Sequence, residues 1–300
     1  MQTIDITRQK KNLPIGFVSQ TTGVLPVTLR AWERRYGLIK PLRTEKGHRL
    51  YSEEDIALIR QIIRLINQGI AVGKVRQHLQ DPEGTTASTS DWPQLRQQLL
   101  HAAQNLRKST IIDLIRHAGK LYPLPMLASE LITPVQHFID QSDHSDRWAH
   151  SQLLEQSVTI YLDQRSHQVN LPAAAPTIFM VTMLAEKIPL SAHLFESIAR
   201  EAGVDLRWLG RVPGISALTE IAHRHNIRAA VIWEDSEILG PWEALLSRLK
   251  SSLEIPVAIG GAFALQHAAK LQEISIPVLP ADQQAAIAIL KGWIETNTCP

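Results

Sequence analysis

The 300 residues are 44% hydrophobic and 20% charged, with 15 Gly and 17 Pro, a composition that supports packed cores and excludes collagen-like or low-complexity polymers. A lone cysteine, Cys299, excludes a disulfide framework, a thiolate metal cluster and a CxxC redox pair. The net charge of +2 conceals a division: residues 1–80 carry 14 Lys/Arg against 6 Asp/Glu, whereas residues 81–300 carry 17 against 23.

No apolar run approaches the ~18 residues of a membrane span, since the longest candidate, Ala173 to Ala185, is interrupted by Pro176 and Thr177. The opening MQTIDITRQKKNLP has no apolar segment, so neither secretion nor membrane insertion is expected and the compartment is read as cytoplasmic. The length predicts two or three domains. Asp81 to Asp91, rich in Pro, Gly, Ser and Thr, reads as a linker, and a second boundary falls at Leu171 to Pro176. The expected blocks are therefore 1–80, the linker 81–91, 92–170 and 171–300.

In chain order, Ile15, Val18 and Thr22 mark a first helix that Gly23 ends. Pro26 opens a second, PVTLRAWERRYG, which stops at Gly37. LRTEKGHRLY then predicts a β-hairpin turning at Lys46 and Gly47. Ser52 caps a helix with Glu53, Glu54 and Asp55 in its first turn and Ile56, Ile59, Ile63 and Ile66 along one face. Gly69 ends it, and Val72 to Gln80 forms one more helix. From Trp92 to Gln168, apolar residues at helical spacing (Leu95, Leu99 and Leu106; Ile111, Leu114 and Ile115; Leu127 and Leu131; Leu153, Leu154, Val158, Tyr161 and Leu162) predict a helical bundle.

The last block alternates. Strands at Thr177 to Leu184, Asp205 to Leu209, Ala229 to Trp233, Val257 to Ile259 and Val278 to Leu279 are separated by helices near Ala192 to Glu201, Ser216 to His225, Trp242 to Leu253 and Leu265 to Leu271. A final helix covers Gln283 to Ile294. Five βα units require a parallel sheet. The expected chain is multidomain: an all-α winged helix-turn-helix, a helical bundle, then an α/β doubly wound, flavodoxin-like sheet.

Thr28, Arg30, Arg34 and Arg35 project from a short helix whose Leu29 and Trp32 can face a core. Such a cationic face fits a DNA major groove, where arginine reads guanine bidentately or clamps phosphate. The hairpin adds Arg43, Lys46, His48, Arg49 and Tyr51, placed for the flanking backbone or minor groove. One basic helix alone is more often a solvated surface, but here helix, hairpin and charge division coincide.

The segments LRAWERRYGL and RTEKGHRLYSEEDI resemble the winged-helix domain of the MerR family of bacterial transcriptional regulators. That resemblance implies a homodimer on pseudo-palindromic double-stranded promoter DNA, altering how RNA polymerase meets the promoter, with no membrane partner. It assigns Arg30, Arg34 and Tyr36 to the recognition helix, and Arg43, His48, Arg49 and Tyr51 to the wing. A helical bundle followed by an α/β domain resembles the MerR branch with a cobalamin-binding module, which includes light-sensing repressors and activators of curli and biofilm formation.

Cobalamin domains carry DxHxxG or ExHxxG after the first strand. The corresponding PLSAHLFE keeps His193, but Ser191 replaces the acid that orients the histidine, and Glu196 replaces the glycine that leaves room for the nucleotide tail. Gly260 and Gly261 match a later GG element that any sheet crevice would also favour. Trp148 and His150 stand near, but not at, the spacing of the pair that caps the cofactor. His193 thus reads as a core or helix-start histidine rather than a metal ligand. His223 and His225 lie on different helix faces, and Glu234 and Asp235 occupy a sheet edge where ligands bind or where loop charges collect. Without a nucleophile–base pair, GxxxxGK or HExxH, no catalytic activity and no metal are expected. The reading is an activator of the curli-regulator type whose cobalamin site has decayed, with no cofactor; the alternative is a cobalamin-dependent repressor.

Overall fold

In a computed structural model, the protein is described over residues 12–81, 90–169, 171, 176–184, 187–212, 214–225 and 227–296. Most of the expected linker and of the segment 171–176 lies outside these residues, as does Cys299. The chain forms two compact units, Met1–Leu154 and Glu155–Pro300.

The first unit begins with strand β1 (Leu13–Pro14) and helix α1 (Ile15–Thr22), ended by Gly23 in the left-handed region at φ 70°. Helix α2 (Pro26–Ala31) has Pro26 in its first turn, where the missing N–H costs no hydrogen bond. It does not continue as a regular helix to Gly37, as its pattern predicts. Trp32–Tyr36 widens into a π-helical turn, and Gly37 closes it at φ 59°. A hairpin of β2 (Leu42–Arg43) and β3 (Arg49–Tyr51) follows, with Gly47 at φ 80° in its turn. All pairing is antiparallel in the order β1-β3-β2, so a small sheet stands within a block expected to be helical apart from its hairpin.

Helix α3 (Glu53–Asn67) opens with a capping box in which Ser52 and Asp55 satisfy each other's backbone N–H. Its buried face is Ile56, Ile59, Ile62, Leu65 and Ile66, with the expected Ile63 only half-buried. Helix α4 (Val72–Gln80) packs on α3 and on the π-turn. Then come α5 (Trp92–Gln104), α6 (Lys108–Gly119), α7 (Leu124–Leu127), a second π-turn at Ala128–Ile132, and α8 (Thr133–Asp140). Leu99, Ile111, Ile115, Leu127, Leu131 and Val135 fill their core. Each fully buried aliphatic side chain removes enough apolar area to contribute ~1.5–3 kcal/mol before entropy is counted. Leu106 stands outside that core, exposed at φ 53° just past the end of α5.

Helix α9 (Arg147–Ser166) contains the division between the units. Its later half is held by a buried pair, Arg165 with Glu201, to which Tyr161 adds a hydroxyl 2.7 Å from Arg165 Nη1. The second unit is a parallel sheet of β4 (Thr177–Thr182), β5 (Asp205–Arg211), β6 (Ala229–Trp233) and β7 (Val257–Gly260), in the order β5-β4-β6-β7. The expected fifth strand shrinks to one parallel bridge between Ile259 and Val278. Pro277 and Pro280 flank it, and neither has an N–H to extend the ladder.

Helix α10 (Leu190–Glu201) joins β4 to β5, α11 (Ile215–Arg224) joins β5 to β6, and α12 (Trp242–Ser252) joins β6 to β7. Strand order reverses direction at β4, so right-handed crossovers put α10 on one face and α11 and α12 on the other. The helix expected over Leu265 to Leu271 is two, α13 (Ala262–Gln266) and α14 (Ala268–Glu273). They break at His267, whose ring packs on Phe263 and Trp242 while Nε2 lies 2.9 Å from Glu237. Helix α15 (Gln283–Thr296) returns against α10. A core of Ile232, Leu246, Ile259, Phe263 and Leu271 lies under α12 to α14.

Candidate nucleic-acid interface

Two places gather the residues that the sequence singles out: the π-turn with its hairpin, and the carboxyl edge of the parallel sheet.

At the first, the core orients everything else. Trp32 is fully buried, and its Nε1 donates a 2.8 Å hydrogen bond to the Leu121 carbonyl. Thr28 lies four residues earlier on the same face and goes inward with it, 0% exposed, its hydroxyl without a partner among the described residues. Thr28 therefore does not project as expected. Tyr51 is likewise inside, at 1% exposure, and burial raises its hydroxyl pKa to about 12.

While Thr28, Leu29 and Trp32 are inward, Arg30, Arg34 and Arg35 are all exposed. Tyr36 is half-buried, its ring alongside Gly73 of α4. Lys46 and His48 are exposed at the hairpin turn. Thr44 fixes that turn through its backbone bond to His48 (2.9 Å) and by accepting at Oγ1 from the His48 N–H (3.1 Å).

Arg43 and Arg49 are not free cations. Both reach Glu33, a residue the sequence reading passed over: Arg43 Nη2 donates to Oε1 at 2.7 Å, and Arg49 Nε donates to Oε2. Burial alone would raise the Glu33 carboxyl pKa, but the hydrogen bonds from Arg49 and Arg43 outweigh it and hold the pKa below the ordinary value. An acid beside two arginines of a predicted hairpin was the only available signal, and spacing alone does not reveal a contact made across a turn.

At the sheet edge, His193 is 8% exposed in the first turn of α10, with Nε2 3.5 Å from Asp163 of α9 and Nδ1 without a hydrogen-bond partner among the described residues. Ser191 is already engaged, accepting from Trp233 Nε1 at 2.9 Å and donating to Asp235. Glu196 accepts from the Trp208 N–H at 3.0 Å, and burial raises its carboxyl pKa. Trp233 stacks on Phe195 at 4.8 Å and covers Gly260, where a Cβ would lie 2.8 Å from the ring. A Cβ on Gly261 would lie 2.2 Å from the Glu234 carbonyl oxygen.

Glu234 is buried beneath this edge rather than solvated. It accepts from Thr182 Oγ1 at 2.7 Å and from the N–H groups of Met183 and Leu184, so it ties the end of β6 to the end of β4. Its carboxyl pKa is raised by burial. Asp235 accepts from the Ala262 N–H at 3.0 Å. His223, His225 and Trp148 are exposed, and His150 is buried 3.4 Å from Asp146. Among the described residues no three His, Cys, Asp or Glu side chains converge to hold a metal, and no single helix is long and apolar enough to cross a membrane.

Residues 13–81 match the family model described as MerR HTH family regulatory protein. This segment is a MerR-type helix-turn-helix domain. The chain is 38% identical over 122 residues to the HTH-type transcriptional regulator MlrA of Salmonella typhimurium, an alignment covering 41% of this chain and 49% of that one. The chain thus spans about half the length of the MlrA relatives it matches. Beyond the MerR-type domain, the HTH-type transcriptional repressor CarH of Myxococcus xanthus aligns over 293 residues at 25% identity, covering 90% of this chain and 95% of that one. A solved cobalamin-binding protein from Desulfitobacterium hafniense DCB-2 aligns at 14% identity and a TM-score of 0.34 over 65% of this chain and 96% of that chain, too distant to carry weight.

Proposed function

We propose that the protein is a sequence-specific, dimeric transcriptional regulator that binds promoter DNA through its MerR-type domain. It acts as an activator in the manner of the MlrA proteins, in the cytoplasm and in concert with RNA polymerase. The observation that carries this reading is the exposure of Arg30, Arg34 and Arg35 along α2 and its π-turn, in the same unit as a basic hairpin. In this reading α2 with its π-turn enters the major groove and the β2–β3 hairpin is a wing that follows the backbone. Lys46 and His48 at the hairpin tip add cationic contacts, and Arg43 keeps half its surface free. Thr28 and Tyr51 serve the core instead. The functional blocks in this reading are 1–80, the linker 81–91, the bundle 92–170 and the module 171–300, read as a flavodoxin-like domain with support from the order β5-β4-β6-β7.

Purified protein should retard a dyad-containing duplex selected from random sequence, with log affinity falling by about 0.9 per neutralised phosphate for each tenfold rise in salt. Arg30→Ala and Arg34→Ala should each weaken that complex by ~1–3 kcal/mol. Unchanged affinity in both variants would refute the assignment.

A cobalamin-dependent repressor is the second reading, favoured by the length of the CarH alignment. The residues present do not fit that cofactor. His193 is buried on the first turn of α10 with Nε2 toward Asp163, Ser191 is engaged by Trp233 and Asp235, and the space that Gly260 and Gly261 leave is taken by the Trp233 ring and the Glu234 carbonyl. The α/β module accordingly serves assembly, or another ligand or protein. Incubation with adenosylcobalamin followed by desalting separates the readings. Colourless protein supports a closed site, and a red protein whose spectrum changes in His193→Ala supports the repressor.

A further inference from the structure

An acidic side chain on a surface that meets DNA is costly, because it repels the phosphates that its neighbours attract. Glu33 sits on such a surface, in the π-turn directly before Arg34 and Arg35. It is 15% exposed, and its two oxygens are used by different residues, Arg43 of β2 and Arg49 of β3. Those arginines face each other as a cross-strand pair in a ladder that has only one other pair, Leu42 with Leu50. Like charges directly opposite destabilise a ladder, and in a two-pair hairpin the Thr44 turn bonds and the pairing of β3 with β1 must otherwise offset the repulsion. A carboxylate bridging both cations converts the repulsion into two charge-assisted bonds, and it ties the hairpin to the helix from which it protrudes.

We propose that Glu33 is a positioning residue for DNA recognition, one that touches no DNA itself. It clamps the hairpin arginines against the π-turn, so that hairpin and helix present one surface at a set spacing. The proposal rests on the DNA-binding reading above. Arg49, 17% exposed, acts mainly as the strut of this clamp, while Arg43, 49% exposed, keeps surface for a phosphate. The π-turn supports the same conclusion. It directs residue 33 toward the hairpin while leaving 34 and 35 exposed.

The sign of one measurement decides the matter. Removing a negative charge from a DNA-binding face should raise affinity if charge alone counts, whereas loss of the clamp should lower it. The full-length protein is titrated with the duplex it selects from random sequence and with a scrambled duplex of equal length. Glu33→Gln, with helix content checked by circular dichroism, should weaken binding to the selected duplex about tenfold, the effect of losing one charge-assisted hydrogen bond. Its affinity for the scrambled duplex should stay level or rise. Glu33→Asp, which keeps the charge but shortens its reach, should fall between wild type and Glu33→Gln, and it serves alone if Glu33→Gln does not fold. Folded variants that bind the selected duplex as tightly as wild type, while Arg34→Ala has lost it, would overturn the clamp and leave the DNA-binding reading intact. Failure of the wild type to select any duplex would remove both.

Discussion

Replacing Gly261 with alanine separates two reasons for a glycine at the sheet edge. A glycine that keeps room for a ligand tolerates a methyl group when the ligand is absent; a glycine that lets β6 and β7 close on each other does not. The added Cβ would stand 2.2 Å from the Glu234 carbonyl oxygen, 2.7 Å from its carbonyl carbon and 2.9 Å from Asp235 Oδ1. Two of these are backbone atoms that cannot rotate away. The same carbonyl oxygen accepts a 3.1 Å bond from the Phe263 N–H, which any retreat would stretch. Gly261 also has φ 93°, a conformation costing ~1–3 kcal/mol for a residue with a Cβ. Overpacking adds ~1–3 kcal/mol. The sum, ~2–6 kcal/mol, is a large share of the ~5–15 kcal/mol that holds a typical domain folded. Urea unfolding of ligand-free protein, followed by amide exchange in β6 and β7 so that the second unit is read by itself, measures the loss. Gly260→Ala should cost less, since it meets only side-chain atoms, of Trp233 and Leu279, and has no positive φ. A Gly261→Ala protein within ~1 kcal/mol of wild type would refute the packing argument and reopen the edge as a ligand site.

Thr28→Val replaces a buried hydroxyl that has no partner among the described residues, and it should stabilise the first unit by ~1 kcal/mol in thermal unfolding without weakening the DNA complex. Weaker DNA binding by a stably folded variant would show that residue 28 reaches the duplex after all. Glu234 is harder to ionise in the folded chain than in the unfolded one. Its contribution to stability is therefore complete below its ordinary value of 4.5 and is lost as pH rises through the elevated folded value. Glu234→Gln removes that dependence, so wild type should lose stability relative to the variant as pH rises above the ordinary carboxylate value of 4.5, read as urea midpoints. A difference that stays constant as pH rises refutes the assignment.

Local chemistry announced itself in the sequence. Gly23, Gly37 and Gly69 end helices where positive φ is needed, Ser52 and Asp55 satisfy the first turn of α3, and apolar runs rich in β-branched residues mark β4, β6 and β7. What escaped depends on partners distant along the chain. Strand β1 is two residues long and exists because Leu13 and Pro14 lie beside Tyr51 and Leu50. Thr28 and Tyr51 are polar residues carried inward by neighbours, Trp32 in one case and the pairing of β3 in the other. Glu234 looks like a loop charge until β4 and β6 stand side by side and three donors meet on its carboxylate. The arginines were legible as cations, but the acid that organises two of them was not, because a hairpin of unknown register cannot be placed against a helix.

The prolines around Val278 bear on how the molecule behaves at high concentration. A sheet margin with open N–H and C=O groups can recruit a strand from another chain and grow into an insoluble ribbon. Here the segment beside β7 offers one bridged residue, Val278, between Pro277 and Pro280, and neither proline can donate to an incoming strand. Mutating both prolines to residues with an N–H would lengthen the strand and, by the same stroke, give neighbouring molecules a template to copy.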